Sequence, residues 1–217
     1  MLKLLAFSDL HGSRYALDRL KALFAGRKYD AVLICGDIID YSGIGFLDEL
    51  LASMGTTPCF AIPGNIDTPD VSRRLAEAGV SVDRQVRAFN GFEVFGIGGA
   101  VRGPFGTPNE YDDNELWARL QKIALNHPSI VLSHSPPYGF FDDVGGAHVG
   151  SRSVLKFMDR NMPVLLACGH IHQHEGIVRH GKTTIVKLPA AKEKGAATIT
   201  IRNSAGEYAV EMQKIRL

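Results

Sequence analysis

The sequence predicts an α/β chain with mixed sheets. Three observations carry that expectation. Short apolar runs bounded by breakers recur up to Cys168, each the length of a buried strand. Between them, apolar residues recur at helical spacing. From Gly176 onward the pattern changes to hairpins alone. Strands that alternate with helices, followed by hairpins, give a sheet core with parallel pairs and antiparallel additions. No linker and no repeat interrupts the 217 residues, so one domain over 1–217 is expected.

In chain order, Leu2–Phe7 reads as a strand. Leu17, Leu20, Leu23 and Phe24 mark an amphipathic helix over Arg14–Ala25, stopped by Gly26. Ala31–Cys35 is the second strand; Phe46, Leu47, Leu50, Leu51 and Met54 form the next helical face, closed by Gly55. Thr57–Ala61 is a short strand, and Asp70–Ala78 a helix with Thr68 as its cap ahead of Pro69. Val86–Phe89 and Phe92–Phe95 flank Asn90-Gly91, a type I′ hairpin signal. Residues 96–108 read as loop, and Glu110–Asn126 as a helix that His127 caps. Ser129–Ser133 is a strand, 136–150 a second long loop, Arg152–Asn161 a helix and Val164–Cys168 a strand. Two hairpins follow, Gly176–Val178 with Thr183–Leu188 and Ala196–Ile201 with Glu207–Met212. His174, two beyond His172, either supports candidate metal ligands from behind or, the favoured reading, falls on an exposed strand face, and His180 falls in a solvated turn.

The composition is that of a globular protein, 45% hydrophobic and 22% charged. The formal charge of +1 and the lack of a basic run make nucleic acid an unlikely partner. No stretch approaches the roughly 18 apolar residues of a spanning helix. Met1–Phe7 is followed at once by Ser8-Asp9, which no signal peptide would have. Cys35, Cys59 and Cys168 lack zinc-site spacing and read as core residues, so a cytoplasmic protein is expected.

The functional signal lies where the apolar runs stop. Leu2–Ser8 ends in Asp9-Leu10-His11, Ala31–Cys35 in Gly36-Asp37, Ile130–Ser133 in His134, and Val164–Cys168 in Gly169-His170-Ile171-His172. Ile62-Pro63-Gly64-Asn65-Ile66-Asp67 behaves alike. A carboxylate at the tip of a buried strand is costly unless a cation or dense hydrogen bonding receives it. Asp9, His11, Asp37, Asn65, His134, His170 and His172 therefore make a candidate set at the C-terminal strand ends, where open α/β sheets build sites. Imidazole with oxygen and no thiolate suits manganese, iron, zinc or cobalt. Seven ligands exceed one ordinary coordination sphere and suit two divalent ions sharing a carboxylate, with Asp37 in the middle.

Asp9-Leu10-His11, Gly36-Asp37-Ile38-Ile39-Asp40, Gly64-Asn65-Ile66-Asp67, His134 and Gly169-His170-Ile171-His172 resemble the five motifs of the calcineurin-like metallophosphoesterases. Ser133–Gly139 and Gly145–Ser151 resemble more closely the small prokaryotic Icc-related branch. The resemblance implies a four-layer αββα sandwich of two mixed β-sheets flanked by helices. It implies that Asp9, His11 and His172 hold one metal, Asn65, His134 and His170 the second, and that Asp37 bridges. It also implies a phosphoesterase in which a metal-bridging hydroxide attacks phosphorus in line, acting on a small phosphodiester or phosphomonoester.

One position departs. Where the family motif commonly carries a histidine that protonates the leaving group, this chain has Ile66, and the role of Asp67 is then open. His148, in its glycine-rich loop, is the candidate replacement; an exposed loop histidine is the alternative. The missing acid leans the reading towards diesters. Tyr138, Phe140 and Phe141 either line a substrate cleft or pack the loop. The alternative to an enzyme is a non-catalytic metal-binding or protein-interaction module on the same fold.

Overall fold

The apolar runs are continuous because the central strands are covered on both faces. The computed structural model describes residues 1–26, 28–40 and 43–217. In order these form β1 (Leu2–Phe7), α1 (Arg14–Gly26), β2 (Ala31–Cys35), α2 (Ile44–Ser53), β3 (Cys59–Ile62), α3 (Pro69–Glu77), β4 (Arg87–Phe89), β5 (Phe92–Ile97), β6 (Ala100–Val101), β7 (Glu110–Tyr111) and α4 (Asp113–Leu120). Then come β8 (Ser129–Ser133), β9 (Asp143–Val144), β10 (Ala147–His148), α5 (Arg152–Asn161), β11 (Leu165–Cys168), β12 (Gly176–His180), β13 (Thr183–Lys187), a 3₁₀ turn (Ala191–Glu193), β14 (Gly195–Ser204) and β15 (Glu207–Arg216).

Two mixed sheets stand face to face. One has the order β15-β14-β1-β2-β3, the other β12-β13-β11-β8-β5-β4. In the first, β1, β2 and β3 are parallel and β14 and β15 antiparallel; in the second, β13, β11, β8 and β5 are parallel and both edge strands antiparallel. Side chains alternate across each strand. Leu4, Leu33 and Phe60 therefore point between the sheets at Ile130, Leu165 and Val186. Leu5, Phe7 and Ile34 point outward against Leu17, Leu20 and Phe46 of α1 and α2. Phe95, Val131 and Leu166 meet Leu116, Val154 and Phe157 of α4 and α5 on the other outer face. The result is the expected helix–sheet–sheet–helix sandwich. Among the described residues no helix is long and apolar enough to cross a membrane.

Several local expectations are corrected. The helix predicted over Glu110–Asn126 is only α4, Asp113–Leu120. Asp112 caps it by accepting from Asn114 N and Glu115 N, and Glu110 instead serves the preceding loop. At its other end the Arg160 guanidinium takes the Leu120, Gln121 and Ile123 carbonyls, which terminates the helix. His127 caps no helix; its ring stands edge-on to Tyr208 at 5.6 Å. The first predicted loop carries β6, which pairs with β7 where the predicted helix was to begin, and the second carries β9 and β10. Thr68 precedes α3 but makes no side-chain cap bond. His174 lies before β12 rather than on it, and His180 ends that strand with Nε2 3.0 Å from Asp159. Asn90 and Gly91 both have positive φ, as a type I′ turn requires.

Phe157 is fully buried and stacks on Phe95 at a centroid distance of 5.1 Å. Truncation there leaves a void that rigid strands cannot close. Phe157→Ala is expected to cost about 3–5 kcal/mol, read as a lowered urea midpoint at unchanged m-value.

Candidate metal centre

The parallel strands β1, β2 and β3 end side by side, and so do β8 and β11. The residues just beyond them meet at one edge of the sandwich. Asp9 and His11 follow β1, Asp37 follows β2, Asn65 follows β3, His134 follows β8, and His170 and His172 follow β11. Backbone bonds lace these ends together: Asp9 N to Gly36 O at 3.0 Å, His11 N to Asp37 O at 3.0 Å, and Gly169 N to His134 O at 3.1 Å. Asp9, His11, Asp37 and His170 all adopt positive φ, 57°, 47°, 51° and 75°. Left-handed residues turn the chain sharply and aim each side chain back over the sheet edge, a strained geometry for non-glycine residues. Two glycines permit the close approach. A Cβ on Gly64 would overlap Asp37 Oδ1, and one on Gly169 would overlap Ser8 Oγ.

Two clusters result. Donor atoms of Asp9, His11 and His172 lie within 4.8 Å of one another, and so do those of Asp37, His134 and His170. Asp37 Oδ2 stands between the clusters, 3.7 Å from His11 Nε2 and 3.3 Å from His134 Nε2. Asp9 Oδ1 is 3.3 Å from His172 Nε2. Asn65 Oδ1 is 2.9 Å from His134 Nε2 and joins the second cluster. The structure thus brings all seven sequence-predicted residues together.

The donor set fits divalent cations. His134 Nδ1 lies 2.8 Å from the Cys35 carbonyl, so its proton belongs there. Nε2 faces two oxygens, those of Asn65 and Asp37, an arrangement that calls for a positive charge there, a proton in the metal-free protein or a cation in its place. His11 Nε2 is buried with no hydrogen-bond partner, an orphaned ligand-type atom beside Asp37. Outer partners fix the donors as metal sites require. Asn65 Nδ2 donates to Thr107 Oγ1 at 3.0 Å, and Thr107 Oγ1 donates to Glu110 Oε1 at 2.7 Å. That relay decides which way the amide points, with Oδ1 towards His134. His172 Nδ1 has Glu193 Oε1 at 3.5 Å.

Charge in the cluster is strongly coupled. Burial alone would raise Asp9, but the His172 hydrogen bond and the His134 and Lys187 charges hold it well below the carboxylate range. Burial raises Asp37 too, and the charge and hydrogen bond of His134 outweigh it, so its pKa is lowered. His170 is pushed down to about 4 by burial and by the His134 charge. Burial also lowers His11. His134 goes the other way: burial opposes its protonation, yet Asp37 and Asp9 carry it up to about 9.

Sequence reasoning missed the supporting residues. Asp67 does not orient an acid. Fully buried, it accepts from Gly64 N at 2.7 Å, Ile38 N at 3.0 Å and Ile39 N at 3.1 Å, and so clamps the Asp37 turn to the Asn65 turn. Burial and the Asp37 charge push it up to about 6. Ile66 N donates to Asp37 Oδ1 at 2.9 Å. Lys187 is fully buried with Nζ on the Leu188 carbonyl. Thr107, Glu110 and Glu193 sit in no recognisable motif, and the helical reading of the segment hides Glu110. A cavity of about 920 Å³ opens beside the clusters, lined by Asn65, His170 and His172 together with Tyr138, His148 and Arg152. Phe140 and Phe141 pack instead against the outer core.

The raised His134 pKa predicts a pH dependence for the metal-free protein. The folded value of about 9 lies above the ordinary 6.5. Its stabilisation is then complete below about pH 6.5 and is lost as pH rises towards 9. Urea titrations of chelator-treated protein should show the unfolding midpoint falling across that window. His134→Gln should flatten the slope.

The calcineurin-like phosphoesterase family matches residues 2–174. The chain is 34% identical over 193 residues to the uncharacterized protein MJ1162 of Methanocaldococcus jannaschii, covering 85% of this chain and 87% of that one. Among solved structures it resembles TT1561 of Thermus thermophilus, with TM-score 0.72 and 18% identity over 99% of this chain and 98% of the other. A dimetal phosphatase from Danio rerio has TM-score 0.64 and 13% identity, over 99% and 98% of the two chains. At those identities the structural likeness concerns the fold alone; the family match and the archaeal relative carry more. The chain belongs to the calcineurin-like phosphoesterase family.

Proposed function

We propose that the chain works as a single unit over 1–217 that hydrolyses a small phosphate ester with two divalent transition-metal ions, a diester in preference to a monoester. The observation that carries this is Asp37 Oδ2 between His11 Nε2 and His134 Nε2, with a three-donor cluster on each side. Asp9, His11 and His172 would hold one ion, Asn65, His134 and His170 the other, and Asp37 both. Manganese, iron and zinc all suit imidazole with oxygen. Bound there, such ions would supply Lewis-acid charge and acidify water at neutral pH.

The chain's own residues do the rest. The Cys35 carbonyl keeps the His134 proton on Nδ1 and leaves Nε2 free to ligate. The Thr107–Glu110 relay keeps Asn65 Oδ1 facing the centre. Asp67 braces the two turns from behind. The cavity is large enough for a small ester, and Arg152 lines it without an ion-pair partner among the described residues, a place for ester negative charge. Ile66 brings no proton to the leaving oxygen, which supports substrates with good leaving groups. The small net charge speaks against a nucleic-acid substrate.

The test is hydrolysis of bis-p-nitrophenyl phosphate and p-nitrophenyl phosphate with manganese. Wild type should turn over both, the diester faster, and bind about two manganese ions per chain. Asp37→Ala should lose both the activity and part of the metal. A rate that survives Asp37→Ala would refute the site, and metal binding without turnover would leave a binding module.

A further inference from the structure

Outside the seven residues, the structure contains a second fixed carboxylate–imidazole pair. Asp142 is 1% exposed, and its Oδ1 lies 2.7 Å from His148 Nδ1. Its Oδ2 accepts from Gly139 N at 3.0 Å and Gly150 N at 2.9 Å. The carboxylate is therefore immobile and fully engaged, as a buried charge must be. With Nδ1–H turned to Asp142, the nitrogen of His148 left for other work is Nε2.

The hairpin that carries this pair is braced at its base. Val149 N bonds Asp142 O, Ser151 N bonds Pro136 O, and Tyr138 N bonds Ser151 O. The Tyr138 ring lies 5.3 Å from the imidazole, and the Arg152 guanidinium covers that ring at 3.6 Å. His174 Nε2 reaches Asp143 O at 2.7 Å, which ties the hairpin to the segment just past His172. His148 lines the same cavity as Asn65, His170 and His172.

We propose that Asp142 positions His148 as the general acid that delivers the Nε2 proton to the leaving oxygen. The proposal rests on the phosphoesterase reading above. In the step, a water oxygen bonds phosphorus and releases one proton to solvent, and the phosphorus–leaving-oxygen bond breaks. Its electron pair stays on the leaving oxygen, which takes the proton from Nε2. The neutral imidazole keeps Nδ1–H on Asp142, and solvent returns the proton to Nε2, so one water is consumed per turnover. His148 is the catalytic residue here and Asp142 a positioning residue. The pair takes the place that Ile66 leaves vacant in the family motif.

The experiment compares two diesters on the manganese-loaded full chain: bis-p-nitrophenyl phosphate, whose leaving oxygen needs little protonation, and diphenyl phosphate, whose leaving oxygen needs more. His148→Ala should lower kcat on diphenyl phosphate by about 10²–10⁴-fold, and this loss should exceed that on the nitrophenyl diester by at least about tenfold. Asp142→Asn should shift the ratio of the two rates in the same direction by a smaller factor. His148 is half exposed and replaceable without unfolding, which an unchanged melting temperature would check. Equal losses on both esters, or no loss on diphenyl phosphate, would overturn the proposal while leaving the phosphoesterase reading intact. Wild type that binds manganese and hydrolyses neither ester would sink both.

Discussion

Buried negative charge is the constraint that organises this edge of the molecule. Asp9, Asp37 and Asp67 are 0%, 2% and 0% exposed at neighbouring strand ends. An uncompensated carboxylate in such a place would cost several kcal/mol. Each is answered differently. Asp9 accepts from His170 N and faces His172, His134 and Lys187, so it stays ionised despite burial. Asp67 meets only backbone N–H groups and has Asp37 as its charged neighbour, so burial and that charge carry it up to about 6. Equal burial with opposite outcomes separates carboxylates that face imidazoles from one that braces the backbone.

Charge of that kind can be held only on a stiff frame. Four of the seven candidate ligands take left-handed backbone, which for non-glycine residues costs on the order of 1–3 kcal/mol each. The strands that feed these turns are buried on both faces and fixed by parallel ladders. The turns are cross-linked by Asp9 N to Gly36 O and His11 N to Asp37 O. Strain in one turn is thus borne by bonds to the next. The two sheets meet the site from opposite sides, the first supplying Asp9, His11, Asp37 and Asn65, the second His134, His170 and His172. Packing between Leu33, Ile130 and Leu165 sets the spacing across which Asp37 faces His134.

The layers and the seven residues are legible in the sequence because they obey strong local rules. Ala31–Cys35 and Leu165–Cys168 are apolar throughout and end in a glycine with a ligand-type residue beyond it, so both the strand and its tip are visible. What escapes depends on contacts distant in the chain. Glu110 reads as helical because Leu116, Leu120 and Ile123 continue its spacing; its carboxylate is in fact held by Thr107 and Gly103. Asp142 looks like any loop aspartate until the loop folds back and places Gly139 N, Gly150 N and His148 around it. Asp67 is tied by proximity to position 66, yet its partners Ile38 and Ile39 lie 29 and 28 residues away. Local periodicity encodes layers, and side-chain-to-backbone closure of long loops is invisible to it.

Asp67 and Asp142 hold their partners differently, and the proposed proton donor belongs to the second while the metal-type residues stay put. Asp67 divides its oxygens among three backbone N–H groups. Asp142 keeps Oδ2 for backbone N–H groups and gives Oδ1 to His148. The hairpin that carries His148 hangs from the second sheet through Pro136 and Ser151, whereas Asp67 locks turns of the first. The hairpin thus stands on a different sheet from the turns that Asp67 clamps, so chemistry can be placed on it over a constant scaffold. A proton donor on the hairpin also reaches the cavity from the side of Tyr138 and Arg152. In the proposed scheme the segment that protonates the leaving oxygen also lines the cavity, which would make selection of the ester and its cleavage properties of one loop.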